Sequence, residues 1–284
     1  MSMLRIVDGI VYEGKPAERR YRVTLRDLGH GHREASVNRC VDWSECGPLD
    51  PDSRAARILR GEIEDPDAEE KREANIRRAA RRAKSKIRQR CKAQALNSLL
   101  TLTYRANQTD RALCEAHLKA FLRRLRAAIP GFAYVAFFEQ QKRGAWHVHM
   151  AVRKLPLKLS ATNGVQVKSF NVVRAIWRAV VGEYGGNIDL GRWKGNARKS
   201  AAKCAAYISK YCLKAYSDGE TGSKRYRASS VDVPPADSMQ FEAASLAELI
   251  DLVVSFAGED GRVLATSWLS AFKDCYFVAS ERPA

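Results

Sequence analysis

The stretch from Phe132 to Arg153, FAYVAFFEQQKRGAWHVHMAVR, constrains this chain more than any other. Two apolar runs rich in β-branched and aromatic residues flank the polar, Gly-containing segment Gln140 to Ala145. That is the pattern of a β-hairpin. Side chains alternate faces along a strand, so His147 and His149 share one face while Val148 and Met150 share the other. With the turn centred near Arg143, Glu139 falls across from His147 on that same face. Two imidazoles and a carboxylate at one point make a donor set for a divalent metal with open coordination positions. A solvated strand face carries His-x-His pairs too, so the pair gains meaning only from what surrounds it.

The remaining chain must supply those surroundings. Its 284 residues suffice for one large domain or two small ones, each with a core. Lys and Arg number 49 against 32 acids, a formal net charge of +17. Such an excess attracts polyanions, and nucleic acid is the usual one. An anionic membrane surface fits less well, because no amphipathic segment with bulky apolar anchors accompanies the cations. No apolar run reaches bilayer-spanning length, and the N-terminus lacks the features of a secretory signal. Seven scattered cysteines with no CxxC suit reduced thiols, so a cytoplasmic location is expected.

Residues 1–64 read as a region of unclear fold, with short strands at Leu4 to Val11 and Tyr21 to Leu25 between Gly and Pro breakers. His30, His32, Cys40 and Cys46 match no zinc-finger spacing and read as polar loop residues. A basic helix is expected over 65–97, opened by Asp65-Pro66 and running to about Leu96. Its run of arginines and lysines, Arg78 and Arg82 among them, repels itself unless a polyanion neutralises it. A phosphate-backbone contact is therefore expected there.

A core is expected over 98–216. Ser98 to Arg105 has a buried-strand pattern with Thr101 and Thr103 on one face, and Thr109-Asp110 caps a helix reaching Ile129. Phe170 to Val181 has helical apolar spacing closed by Gly185-Gly186, and a short strand follows at Asn187 to Trp193. Arg192 and Trp193 belong to a mix of cations and one aromatic of the kind single-strand-binding surfaces use. Ala201 to Tyr216 should be helical. Lys203, Tyr207, Lys210, Tyr211 and Lys214 line one face of it, and Ala205, Ile208, Cys212 and Leu213 supply much of the opposite side. Ammonium groups beside a tyrosine favour the phenolate, which is a nucleophile. The alternative is that the tyrosines pack at a sheet edge with their hydroxyls in water. Residues 217–284 read as a loop followed by a helical or strand extension, with a helix at Ala243 to Phe256.

Leu99-Thr-Leu-Thr-Tyr104, His147-Val-His149 and Tyr207-Ile-Ser-Lys-Tyr211 follow the order of the motifs of HUH endonucleases, where U is a bulky apolar residue, here Val148. The match resembles rolling-circle replication initiators of single-stranded DNA phages and related plasmids, in their two-tyrosine branch. The resemblance implies an α+β fold, with a central antiparallel sheet, helices packed on one face, and the metal and tyrosines on the other. It implies that His147 and His149 bind Mg²⁺ or Mn²⁺ with Glu139 as third ligand; Gln141, Glu183 and Asp189 are the other options. Tyr207 and Tyr211 would nick and rejoin single-stranded origin DNA through a 5′-phosphotyrosine, with Lys210 near the phosphate and Lys203 and Lys214 as supporting contacts. No P-loop motif occurs, so a host helicase and polymerase would act in trans, in the bacterial cytoplasm if the gene is carried by a phage or plasmid. A relaxase or transposase of the same chemistry, or a non-enzymatic basic DNA-binding protein, are the competing readings.

Overall fold

A computed structural model describes residues 3–160, 164–191, 200–217 and 226–283, with backbone alone for 212–217. In chain order the strands and helices are β1 (Met3–Val7), β2 (Ile10–Gly29), β3 (His32–Pro48), α1 (Arg54–Leu59), α2 (Ala68–Ala93), β4 (Ser98–Tyr104) and α3 (Arg111–Ala128). Then come β5 (Tyr134–Gln140), β6 (Trp146–Val152), β7 (Lys158–Ser160), β8 (Gln166–Lys168), α4 (Ser169–Val181), β9 (Gly186–Leu190) and α5 (Ala201–Ser217). The last are β10 (Arg227–Ala228), β11 (Asp237–Glu242), α6 (Ala247–Gly258), β12 (Val263–Leu269) and β13 (Cys275–Glu281). They compose two compact units, residues 1–74 with 234–284 and residues 75–233. The architecture is α+β, and among the described residues no helix is long and apolar enough to cross a membrane.

The second unit is built on a five-stranded antiparallel sheet in the order β10-β5-β6-β4-β9. One face, with Leu100, Leu102, Phe138, Val148 and Met150, is covered by α3 and α4. The other, with Leu99, Val135, Phe137 and Ala151, packs against Ala83, Ile87 and Cys91 of α2 and Cys204, Ala205 and Ile208 of α5. Helices therefore cover both faces, which corrects the expectation of helices on one. The physical reason lies in β5, where Tyr134 to Phe138 are all buried; a strand apolar on both faces needs cover on both. The basic helix contributes three side chains to that cover and ends at Ala93, short of the expected Leu96.

Asp110 caps α3, its carboxylate accepting from the Leu113 amide at 3.0 Å. Trp177 of α4 is fully buried, packs edge-on to Tyr104 and Phe121, and donates its indole N–H to the Thr103 carbonyl at 2.9 Å. Trp177→Ala removes both the packing and the bond, so a loss of about 3–5 kcal/mol is expected. Denaturant unfolding of the full chain measures it.

The first unit has a six-stranded sheet in the order β1-β2-β3-β13-β12, with β11 on β2, and α6 covers one face through Leu249, Val253 and Ala257. Strands of 20 and 17 residues replace the short strands expected near the N-terminus. The glycines turn the chain instead of breaking it: Asp8 and Gly9 both take positive φ between β1 and β2, as a tight hairpin of the primed type requires. Cys40 and Cys46 lie within β3, not in a loop. The C-terminal segment adds β11, α6, β12 and β13 to this unit, so the N- and C-terminal segments share one sheet.

Candidate active site

The β5–β6 hairpin pairs Glu139 with His147 and Phe137 with His149, and β4 pairs Thr101 with His149. Strand alternation then puts Glu139, His147, His149 and Thr101 on the α2/α5 face. The closest contact is diagonal rather than direct. Glu139 Oε2 lies 2.7 Å from His149 Nε2, and Thr101 Oγ1 lies 3.2 Å from His149 Nδ1. With the ring neutral, Nε2–H donates to the carboxylate and Nδ1 accepts from the threonine hydroxyl. The Gln141 side-chain amide lies 3.2 Å from His147 Nδ1, which leaves Nε2 as that ring's outward nitrogen. Burial pushes both imidazoles below their ordinary value, and Glu139 opposes the shift at each; for His147, His149 and Arg143 add to the lowering. Both rings are thus neutral at pH 7, the form that ligates metals.

Helix α5 completes the constellation. The Tyr211 ring stacks on His149 with centroids 4.5 Å apart and planes 6° from parallel. Its hydroxyl donates to the Tyr207 hydroxyl at 3.2 Å, one helical turn away. Lys210 Nζ stands 5.4 Å from the Tyr207 ring centroid. The α5 sequence produces this because Cys204, Ala205 and Ile208 bury against the sheet, leaving Tyr207 and Tyr211 half-buried at its margin. The expectation that lysines depress the tyrosine pKa fails for Tyr211. Its hydroxyl is pushed up, first by burial and then by Tyr207 and the Glu139 charge. Lys210 is exposed, where water screens its charge.

The donor set suits a divalent cation in type: two neutral imidazoles and a carboxylate on one sheet face. As they stand, Glu139 and Gln141 are turned onto the rings, and among the described residues no three His, Cys, Asp or Glu side chains are grouped to hold an ion. Ion binding here means that a cation takes the place of the proton between His149 and Glu139. Of the other acids considered, Asp189 stands on β9, two strands from His149, and Glu183 lies exposed in the 3-10 turn Gly182–Tyr184. Lys203 is exposed on α5, and Arg78 and Arg82 are exposed on α2. Arg192, Trp193 and the Lys214 side chain lie outside the described residues. The contact that sequence reasoning missed is Thr101 to His149. The sequence places Thr101 on a strand face, but only the β4–β6 pairing brings it to the ring.

No curated protein and no solved structure matches the chain. Residues 97–216, the stretch from the start of β4 into α5, match the model of a family described as Replication-associated protein of the ORF2 type, a family of rolling-circle replication initiators.

Proposed function

We propose that this protein initiates rolling-circle replication by cutting and rejoining one DNA strand at an origin, with Tyr207 and Tyr211 as nucleophiles. The observation that carries the reading is the stack of Tyr211 on His149, with the second phenol 3.2 Å from the first. A tyrosine oxygen attacks the scissile phosphorus, the P–O3′ bond breaks, and the 3′-oxygen departs as a hydroxyl after taking up a proton. The enzyme keeps the 5′-phosphate as a phosphotyrosine, so a later attack by a 3′-hydroxyl reseals the strand without ATP. The free 3′-hydroxyl primes synthesis by a host polymerase, and strand separation falls to a host helicase. Two phenols one turn apart allow the second to cut the regenerated origin while the first still holds the strand. Lewis-acid polarisation of the scissile phosphate is what Mg²⁺ or Mn²⁺ held by His147, His149 and Glu139 supplies. Lys210 places positive charge beside the nucleophiles, with Lys203 on the same helix.

The exposed cations of α2 fit contacts to phosphates away from the cut. Arg78→Ala with Arg82→Ala is expected to weaken single-strand binding without regard to sequence. The slope of log K against log salt should fall by about 0.7 for each phosphate that no longer meets a cation. Anisotropy titrations at several salt concentrations read this out.

The hydrogen bond that closes Glu139 onto His149 favours one competing reading, a DNA-binding protein with structural histidines. Incubation with Mn²⁺ and a pool of circular single-stranded origin DNA separates the two. A covalent adduct mapping to Tyr207 or Tyr211 supports the nickase. Tight binding with no adduct, or an adduct on another residue, overturns it.

A further inference from the structure

The polar row on the α2/α5 face continues beyond the histidines. Thr101 pairs with His149 on β6 and with Asp189 on β9, and two residues further along β4 Thr103 pairs with Asn187. Continuing the β4–β6 register puts Thr103 level with His147. Neighbouring strands lie about 4.8 Å apart, so His147, Thr103 and Asn187 span about 10 Å across three strands. At the rim where β4 ends and β9 begins, the surface opens into a cleft of about 540 Å³. Its lining includes Thr103, Arg105, Arg178, Gly185, Gly186 and Asn187.

The chemistry of this cleft is that of an anion site. Arg105 and Arg178 are both exposed, and among the described residues neither is paired with a carboxylate. Arg178 Nε donates to the Gly186 carbonyl at 3.1 Å, which fixes the guanidinium while leaving its terminal nitrogens to a ligand. The Arg105 backbone is tied to Gly185 by a 2.9 Å hydrogen bond, and its stem lies over that glycine. A Cβ at Gly185 would come within 3.2 Å of Arg105 Cβ, and φ there is +57°, so both space and conformation call for glycine. The result is bare backbone beneath two aimed guanidiniums, a surface a phosphate can approach closely.

We propose that this cleft holds a backbone phosphate of single-stranded DNA next to the scissile one, with Arg105 and Arg178 as its clamp. The assignment rests on the nicking reading, because the cleft gains its meaning from the adjacent imidazoles. It fixes where the strand runs: across β6, β4 and β9, away from the β5 side of the sheet.

The test uses the full chain with Tyr207→Phe and Tyr211→Phe, to prevent turnover, and single-stranded oligonucleotides in which one phosphate at a time is a neutral methylphosphonate. Neutralising a phosphate close to the cleavage point is expected to weaken binding about tenfold. Adding Arg105→Gln with Arg178→Gln should lose the same factor on the unmodified strand and show no further loss at that phosphate. The Arg105→Lys and Arg178→Lys pair should restore much of the affinity, which separates missing charge from a damaged fold. A dip of equal depth in the Gln variant, or unmodified DNA bound as tightly as by its parent, overturns the clamp. So does millimolar inorganic phosphate that displaces the strand from the parent and the Gln variant alike. Adduct formation by the unsubstituted chain is assayed in parallel: its absence defeats the nicking reading, whereas the phosphate scan needs no cleavage and judges the cleft alone.

Discussion

Replacing both Tyr207 and Tyr211 by phenylalanine is expected to reduce formation of the covalent protein–DNA adduct by at least a factor of about a thousand. Salt-sensitive binding of the same DNA should persist. Phenylalanine keeps the ring that stacks on His149 and removes only the two hydroxyls, which are each other's hydrogen-bond partners. Deleting both partners of one hydrogen bond leaves no orphaned group, so the fold should lose about 1 kcal/mol or less. Denaturing gels of radiolabelled DNA with each variant give the measurement, and the melting temperature controls for folding. The single variants then report the order of cutting. The one that retains the first nucleophile still forms adduct but fails to release a closed circle. Adduct that survives in the double variant removes these tyrosines from the chemistry.

The second large effect is expected at the imidazoles. His149→Ala removes the partner of Glu139 and of Thr101 and the platform under Tyr211. His147→Ala removes the ring that Gln141 holds. If they hold the cation, each change should cost several kcal/mol of transition-state stabilisation, a drop in nicking of about a thousandfold. DNA binding should be nearly unchanged, and calorimetric Mn²⁺ binding should vanish. Removal of divalent ions by a chelator should reproduce the nicking defect in the unsubstituted chain and be reversed by added Mn²⁺. The pH profile supplies a further check. Burial holds both rings below the usual 6.5, so the neutral, ligating form survives acidification further than a free imidazole would. The nicking rate should therefore begin to fall only below about pH 6.5, as protons displace the ion. Normal nicking by either alanine variant ends the metal assignment.

The hairpin is readable from sequence because its information is local. Two runs of period two and a Gly-containing turn fix which residues face each other, and Glu139 does stand opposite His147. The carboxylate's choice of His149 over His147 is not readable, since rotamers inside one sheet face depend on neighbours from other strands. Thr101 reaches His149 through a pairing of residues 48 apart in the chain, and no local pattern encodes it. Helix α5 is legible as an amphipathic helix, yet its electrostatics reverse for Tyr211. Charge counting puts cations beside a phenol, and packing puts the phenol into a half-buried stack where desolvation outweighs them. The long strands β2 and β3 escape because one of their faces carries Arg20, Arg22 and Arg26, a solvent-side pattern that reads as loop when the partner strand is unknown.

The split of one sheet between the two ends of the chain has a consequence for biosynthesis. A ribosome that has passed residue 233 has made every strand and helix of the five-stranded unit, while β11, α6, β12 and β13 have yet to be translated. The tyrosine-bearing unit can therefore mature on the nascent chain, ahead of the sheet that opens the polypeptide. A premature stop soon after residue 233 would leave the phenols and imidazoles assembled, and strands β2 and β3 without the partners that bury their apolar side.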